Sequence, residues 1–274
     1  MERFYAKGGG GEFFKFHPEA FRRYMRHHEI AEYPFDRQVF ETVPGFISEM
    51  SCIRVDHQMA TSVPGLFAIG DAAGSGSARA GAVPAPPAKI HGTGLLNAFF
   101  MGHKGGPAAA LFARGLRDMG IEPRINSSEV VRIKEETYAP MHRESGISPR
   151  QIIYRVQDAV APVDYSVVKR EDRMKEALGI VLEAKNLLPQ MSVSDFHELS
   201  RCVDARSMVI CAEMFYRASL MRKESRGFHL REDYPETDDA NWLKWIIVQK
   251  QGDEMTLTTE EIPFHTYDYQ PQKT

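Results

Sequence analysis

Residues 61–71 read Thr61-Ser62-Val63-Pro64-Gly65-Leu66-Phe67-Ala68-Ile69-Gly70-Asp71. The Val-Pro-Gly step is turn chemistry, and the four apolar residues after it predict a short strand that is buried on both faces. Just upstream, the alternation in Ile53-Arg54-Val55-Asp56 predicts a second strand that is half-buried. The first part of the chain therefore reads as α/β.

The end of the second predicted strand carries residues suited to a ligand. Gly70 allows close approach to the backbone, and the carboxylate of Asp71 can accept hydrogen bonds from the hydroxyls of a sugar alcohol. Ligands of open α/β sheets lie at the carboxyl ends of the strands. The competing interpretation is that Gly70-Asp71 merely forms a turn.

The chain after this motif divides into a loop, a helix and a second domain. Residues 72–94 are rich in small residues and Pro, and a helix follows from near Gly94 to Arg114, with Pro107 leaving open whether it is interrupted. Gly120 to Asn126 reads as a linker. We therefore divide the chain into a first domain, residues 1–119, and a C-terminal helical domain with the terminal hairpin, residues 120–274.

The second half shows helical periodicity and then two strands. Helix starts are predicted at Ser127, at Ser148-Pro149 and at Ser194-Asp195. Apolar residues recur at helical spacing between residues 167 and 188, with a predicted core stripe at Met174, Leu178 and Leu182. Residues 242–249 and 254–262 predict a terminal β-hairpin. The predicted fold class is α/β plus α: part of a Rossmann-like domain, then a helical bundle with a hairpin.

Composition excludes several classes of partner. The chain has 274 residues, 43% hydrophobic and 26% charged, with a net charge of −3, so neither nucleic acid nor an anionic membrane is expected as the main partner. No apolar run approaches the roughly 20 residues that span a bilayer. Three scattered cysteines give no disulfide framework and favour the cytoplasm. The histidines at 17, 27 and 28 lack partners at zinc spacing, so no metal site is predicted.

Two motifs together resemble one family, that of the succinate dehydrogenase and fumarate reductase flavoproteins. This family includes L-aspartate oxidase and the adenylylsulfate reductase alpha subunit. The run 61–71 and the later His91-Gly92-Thr93-Gly94-Leu95-Leu96 resemble its second FAD-binding segment. The run Glu224-Ser225-Arg226-Gly227-Phe228-His229-Leu230-Arg231-Glu232-Asp233-Tyr234-Pro235 resembles the E-S-R-G-x-H-x-R-x-D-[YF]-P run that follows the family's C-terminal helices. The resemblance extends from about residue 53 to the end of the chain, and it is weaker through the intervening helices.

The resemblance implies that residues 1–119 are a partial FAD-binding domain with a remnant of the substrate or capping region, and that this domain contributes to an FAD site. Asp71, preceded by Gly70, would hold the ribityl chain of FAD. The amides around Gly94 and Leu95, next to Leu96, would face the pyrimidine edge of the flavin, where the positive end of a helix stabilises reduced flavin. A small-molecule substrate and an iron–sulfur electron-transfer partner are implied as well.

The chain also departs from the family pattern. No G-x-G-x-x-G follows a predicted strand, and the run Gly8 to Gly11 is a poor substitute, so another polypeptide or an additional N-terminal region is expected to complete the FAD site. The place of the family's substrate histidine reads Ser48 to Cys52. Lys89 stands nearest to the catalytic arginine position, and His91 is the second candidate catalytic residue. Succinate and fumarate are therefore expected to be poor substrates.

Three functions stay open at this point. The chain can be part of an FAD-dependent oxidoreductase that moves electrons between a substrate and a partner carrier. It can be a truncated, non-enzymatic subunit or interaction module that does not hold FAD alone. It can also be an electron-transfer flavoprotein similar to adenylylsulfate reductase.

Overall fold

A computed structural model describes residues 52–73, 94–122, 124–226, 229–262 and 265. The helices are α1 (Gly94–Asp118), α2 (Ser127–Tyr138), α3 (Pro149–Val160), α4 (Val163–Ser166), α5 (Glu171–Leu187), α6 (Phe196–Met221) and α7 (Asp239–Trp242). Short 3-10 helices lie at Gly70–Ala73, Ala139–His142 and Leu188–Gln190. The strands are β1 (Val168–Lys169), β2 (Leu230–Arg231), β3 (Lys244–Gln251) and β4 (Glu254–Glu261).

The predicted helix starts in the second half are confirmed, and each has a side-chain cap. Asn126 accepts hydrogen bonds from the backbone N–H groups of Ser128 and Glu129 at the start of α2. Ser148 forms a reciprocal capping box with Gln151 at the start of α3. Asp195 caps α6. These caps satisfy amide groups that a helix start leaves without intrahelical partners.

Helices α3, α5 and α6 pack around one hydrophobic core, which confirms the predicted helical bundle. Its fully or almost fully buried members include Ile152, Val156, Met174, Ala177, Val181, Cys202, Val209 and Tyr216. Within the predicted stripe on α5, Met174 is fully buried and the half-buried Leu178 packs against this core, while Leu182 is half-buried. Ala177 and Val181 take the central positions, so small side chains let α5 approach its neighbours closely.

The predicted terminal hairpin is also confirmed. Strands β3 and β4 pair antiparallel from Lys244–Glu261 to Gln251–Glu254, and Gly252 at the turn has a φ of 63°. That left-handed conformation suits glycine. A second, two-residue pairing is parallel and joins β1 to β2 through Val168–Leu230 and Lys169–Arg231.

The strand predictions for residues 53–56 and 66–69 are wrong. Both segments are irregular, with a single antiparallel bridge between Ala60 and Phe67. Leu66 and Ile69 expose 51% and 44% of their surface, so the second segment is not buried on both faces. A strand needs the hydrogen-bonding edge of a neighbour, and within the described ranges no other segment offers one to these residues.

Helix α1 begins at Gly94, as the sequence predicts, and is longer than expected. It continues without interruption through Pro107 to Asp118. The question that Pro107 left open is therefore answered in favour of one helix. The 53–73 segment meets α1 on both sides of Pro107, at Gly105 and at Phe112.

Candidate functional site

The segment 59–70 lies along α1 because α1 offers glycine where the two meet. A Cβ atom at Gly105 would lie only 3.0 Å from Cγ2 of Ile69 and 3.2 Å from Cβ of Met59. Further along the helix, Phe67 meets Phe112 edge to face, with ring centroids 6.2 Å apart. Close packing on glycine and an aromatic contact therefore fix this segment on the helix.

Gly70 and Asp71 come to the first turns of α1. Gly70 has a φ of 61°, and a Cβ atom there would lie 3.5 Å from Cβ of Ala98. Asp71 follows in an exposed position. Its carboxylate has no hydrogen bond or ion pair with any residue that the structure describes, so both of its oxygens can accept hydrogen bonds from a ligand.

The start of α1 is where the sequence analysis expects the pyrimidine edge of the flavin to lie. The amides of Gly94, Leu95 and Leu96 are in the first turn, where N–H groups lack intrahelical acceptors, and this turn contains no acidic residue. A helix start carries about half a positive charge. The structure brings the 3-10 helix Gly70–Ala73 against α1, with Gly70 beside Ala98, and the site roles of Asp71 and of the Gly94 and Leu95 amides stay predictions.

The same end of α1 is strongly apolar and uncovered. Leu95 exposes 77% of its surface, Leu96 67%, Phe99 77% and Phe100 55%. Leu95 and Phe99 line a shallow hollow with Ala98, Gly102 and His103. Large apolar side chains grouped in this way indicate a surface that another protein segment or a ligand covers. The sequence analysis did not identify Phe99 and Phe100, although their spacing from Leu95 and Leu96 places all four on one side of a helix.

Other predicted site residues lie outside the described part of the chain. Lys89 and His91 belong to this group, as do the glycines 8–11 and residues 48–51. Cys52, the last residue of the segment that replaces the family's substrate histidine, is exposed. The two catalytic assignments therefore stay predictions.

The second motif forms a buried ionic network at the end of α6. Glu224 is fully buried and accepts hydrogen bonds from Arg222 Nη1 at 2.6 Å and from Arg226 Nε and Nη2 at 2.9 Å each. The backbone N–H of Asp238 donates to the same carboxylate at 2.8 Å. Arg226 also donates to Asp239. A buried carboxylate with four donors is fully compensated, so this network orders the chain between α6 and α7.

Arg231 ties the same run back to the helix. It is fully buried, donates to the carbonyl oxygens of Ser219 and Arg222 at 3.0 Å each, and binds both carboxylate oxygens of Asp233 at 2.7 Å. The Arg231 guanidinium lowers the pKa of Asp233 below its usual range. The guanidinium also lies over the ring of Tyr234, 4.9 Å from its centroid.

His229 and Lys169 complete this cluster. His229 is half-buried, and its Nε2 lies 3.2 Å from the carbonyl oxygen of Arg222. Burial, together with the charge of Lys169, lowers the pKa of His229 to about 3. Lys169 is almost fully buried, with its ammonium 4.7 Å from the ring centroid of Phe215. No sequence signal marked Lys169, because its place depends on the pairing of β1 with β2.

Comparison with known proteins identifies the relatives of this fold and its motifs. Residues 158–274 match the family model described as the C-terminal domain of the fumarate reductase flavoprotein. This chain resembles the C-terminal part of the succinate dehydrogenase and fumarate reductase flavoproteins. It is 27% identical over 205 residues to an uncharacterized FAD-dependent oxidoreductase of Methanocaldococcus jannaschii, covering 73% of this chain and 34% of that protein.

Two further relatives agree with this match. The succinate dehydrogenase flavoprotein subunit of Bacillus subtilis is 25% identical over 214 residues, which cover 75% of this chain and 35% of the subunit. The structure of adenylylsulfate reductase from Archaeoglobus fulgidus superimposes with a TM-score of 0.60 at 26% identity, covering 74% of this chain and 33% of that chain. This chain thus spans about a third of the length of the relatives it matches.

Among the described residues, no helix could span a membrane. Helix α1, with its uncovered apolar side, is 25 residues long but is not apolar enough throughout to cross a bilayer.

Proposed function

We propose that this chain forms the C-terminal part of an FAD-dependent oxidoreductase of the fumarate reductase and succinate dehydrogenase type. The observation that supports the proposal is that Gly70 lies against Ala98 in the second turn of α1, next to Asp71, whose carboxylate has no partner among the described residues. A hydroxyl-binding carboxylate next to a helix start is what the ribityl chain and the pyrimidine edge of a flavin require.

The residues at this position fit FAD and have separate tasks. Asp71 would accept hydrogen bonds from the ribityl hydroxyls, and Gly70 would keep the backbone clear of the ligand. The amides of Gly94 and Leu95 would donate to the pyrimidine edge and stabilise negative charge there. When bound, FAD supplies the hydride or electron transfer, and the protein orients it and excludes water.

A second polypeptide, or an additional N-terminal region, would complete the site. The relatives are about three times as long as their matched part, and one of them is an FAD-dependent oxidoreductase by name. The uncovered side chains of Leu95, Leu96, Phe99 and Phe100 and the exposed side chains of Leu66 and Ile69 are the surfaces such a region would cover. By the same resemblance we propose an iron–sulfur partner that receives or delivers the electrons, and a small-molecule substrate.

The proposal is tested by measuring flavin retention of an Asp71→Ala variant. The protein is purified with whatever polypeptide accompanies it, FAD is added, and the bound flavin is measured from its visible absorption. Loss of a charge-assisted hydrogen bond is worth about 1.5–3 kcal/mol, so we expect roughly 10- to 150-fold weaker FAD binding. Unchanged FAD affinity would contradict the site.

Asp118→Ala is the matched control. This exposed carboxylate lies at the opposite end of α1 and makes only surface ion pairs with Arg114 and Arg117. We expect it to leave FAD binding unchanged. If neither the chain alone nor its purified complex binds FAD, the non-enzymatic subunit becomes the better description.

Adenylylsulfate-reductase-like electron transfer is the second candidate function. The similarity to the Archaeoglobus fulgidus enzyme supports it, at 26% identity over 74% of this chain. Activity assays with adenylylsulfate and with fumarate on the same preparation separate the two candidates. We also propose a cytoplasmic location, which is supported by three free cysteines.

A further inference from the structure

Met59 has a backbone conformation that is unusual for its residue type. Its φ is 64°, and among the described residues it is the only one other than glycine with a positive φ. This left-handed region is unfavourable for a residue with a Cβ atom, so surrounding contacts must hold Met59 in it. Such residues cluster at functional sites, and Met59 lies in the segment that leads to Asp71.

Asp56 supplies the contacts that hold this conformation. Its carboxylate oxygen Oδ1 accepts hydrogen bonds from the backbone N–H groups of Gln58 at 2.8 Å and of Ala60 at 2.9 Å. Its carbonyl oxygen accepts a hydrogen bond from the N–H of Met59 at 3.1 Å. Asp56 therefore binds the N–H groups of three consecutive residues, which closes a tight turn with Met59 in the left-handed position.

The side chain of Met59 anchors this turn on α1. Met59 is 8% exposed, and only Met59 and Ala68 are buried among the hydrophobic residues described between positions 52 and 73. A Cβ atom at Gly105 would lie 3.2 Å from Cβ and 3.4 Å from Cγ of Met59. The methionine therefore packs into the space that the glycine of the helix leaves open.

Two backbone hydrogen bonds connect the same stretch to the residues on either side of Asp71. The N–H of Ala68 donates to the carbonyl oxygen of Met59 at 3.1 Å. The N–H of Ile53 donates to the carbonyl oxygen of Ala72 at 2.8 Å. Because Ile53 and Met59 belong to one stretch that ends in the turn, the shape of the turn determines how the chain around Asp71 is held.

We propose that Asp56 and Met59 are positioning residues of the flavin site, an inference that rests on the function proposed above. Asp56 imposes the left-handed conformation on Met59, and Met59 packs on Gly105 while its carbonyl oxygen holds Ala68. The chain that carries Asp71 is thereby ordered along α1 before a ligand binds. Neither positioning residue touches the ligand. An ordered carboxylate loses less conformational freedom on binding, and this raises the affinity for FAD.

Hydrogen exchange and flavin titration together test the proposal, on the purified chain with whatever polypeptide accompanies it. Asp56→Ala removes two accepted hydrogen bonds, so we expect the amide of Ala68 to exchange about tenfold faster and FAD to bind about three- to tenfold more weakly. Asp56→Asn keeps an oxygen that can accept from both N–H groups. We therefore expect its exchange rate and its FAD affinity to stay within about twofold of wild type.

Met59→Gly tests whether Asp56 acts through the backbone conformation of Met59. Glycine adopts a φ of 64° without help from neighbouring contacts. Adding Asp56→Ala to Met59→Gly should therefore speed the exchange of Ala68 by about threefold or less, compared with about tenfold in the wild-type background. An equal effect of Asp56→Ala in both backgrounds would contradict the link between the two residues.

Asp253→Ala is the matched control, because Asp253 is an exposed carboxylate of another turn and forms an ion pair with Lys250 at 3.4 Å. It should change neither the exchange of Ala68 nor the affinity for FAD. Unchanged exchange in Asp56→Ala, or an Asp56→Asn variant that behaves like Asp56→Ala, would overturn the proposal.

Asp71→Ala distinguishes failure of this inference from failure of the proposed function. The exchange of Ala68 is measured without flavin, so it tests the turn whatever Asp71→Ala does to FAD binding. Weaker FAD binding in Asp71→Ala together with unchanged FAD binding in Asp56→Ala would overturn the positioning role and leave the flavin site standing. Unchanged FAD binding in Asp71→Ala would remove the flavin site, and the positioning role would be lost with it.

Discussion

Arg226 and Glu224 form a two-point ion pair inside the protein, with Nε–Oε1 and Nη2–Oε2 distances of 2.9 Å each. The side chain of Glu224 is fully buried and that of Arg226 is 3% exposed. Burial would lower the pKa of Arg226, but the hydrogen bonds to Glu224 and Asp239 raise it above its usual value. The pair therefore stays ionised and joins the end of α6 to α7.

Replacing Arg226 by Ala should strongly destabilise the helical domain. The change leaves the carboxylate of Glu224 buried with fewer donors, and breaking a buried ion pair from one side costs about 3–5 kcal/mol. Arg226→Lys should recover only part of this loss, because an ammonium cannot form the two-point contact. Denaturant titration of the three proteins measures the free energy of unfolding.

Arg132→Ala is the control for this experiment. Arg132 bridges Glu129 and Glu136 on the exposed side of α2, where ion pairs contribute about 0–1 kcal/mol. Its loss should barely change unfolding. An Arg226→Ala protein that folds like wild type but loses turnover would contradict the structural role and move Arg226 into the active site.

His229 should make the stability depend on pH. Its pKa is lowered from 6.5 to about 3 in the folded chain, so the folded form holds neutral His229 while the unfolded chain binds a proton below 6.5. The stability that the neutral side chain of His229 contributes is complete above pH 6.5 and is lost as the pH falls toward 3. Because His229 is half-buried, we expect the free energy of unfolding to fall by about 1–2 kcal/mol between pH 7 and pH 4.5. This is less than the change in pKa alone would give.

His229→Gln separates this effect from general acid unfolding. An uncharged amide can still donate to the carbonyl oxygen of Arg222 but binds no proton in this range. Unfolding free energies at pH 7 and pH 4.5 should differ less in the variant than in wild type. An equal difference in both proteins would assign the pH dependence to carboxylates such as Glu213, whose pKa is lowered by Lys185 and Arg217 despite burial.

The second half of the fold could be predicted from the sequence because its signals are local. Asn126, Ser148 and Asp195 cap helices by bonds to residues two or three positions away. Gly252 closes the hairpin by its own conformation. Each of these signals acts within a few residues, and all three helix caps and the glycine turn are present in the structure.

The strand prediction for residues 66–69 failed because a strand depends on neighbours that are distant in the sequence. The apolar run from Leu66 to Ile69 is a strand only where neighbouring strands pair with it and cover both faces. The described residues provide only a short pairing of 66–68 with 59–61, and Ile69 packs on Gly102 and Gly105 of α1 instead. Gly70 does lie against α1 through Ala98, but the roles assigned to Asp71, Gly94 and Leu95 stay predictions. The exposed Phe99 and Phe100 were not identified, since exposure cannot be read from periodicity alone.

Two adjacent glycines of α1 should respond in opposite ways to alanine. At Gly106 a Cβ meets nothing within 4 Å, so Gly106→Ala should stabilise the helix by about 0.5–1 kcal/mol. At Gly105 the new Cβ would press on Ile69 and Met59, so Gly105→Ala should lose that gain and loosen segment 59–70. Hydrogen exchange of this segment is the measurement. Equal exchange in both variants would show that the segment does not depend on this contact.

Fumarate should be a poor substrate of the assembled protein. The sequence offers Lys89 where relatives are expected to carry an arginine, and residues 48–52 replace the substrate histidine. A lysine cannot grip a carboxylate at two points, so the dicarboxylate loses much of its transition-state stabilisation. Fumarate reduction with a reduced artificial electron donor measures this rate directly.

Lys89→Arg should raise the rate of fumarate reduction about tenfold if position 89 is equivalent to the arginine position of the relatives, because a bidentate contact returns. Rapid reduction by the unmodified protein would contradict the assignment, and a Lys89→Arg variant with no gain would show that position 89 does not contact the substrate.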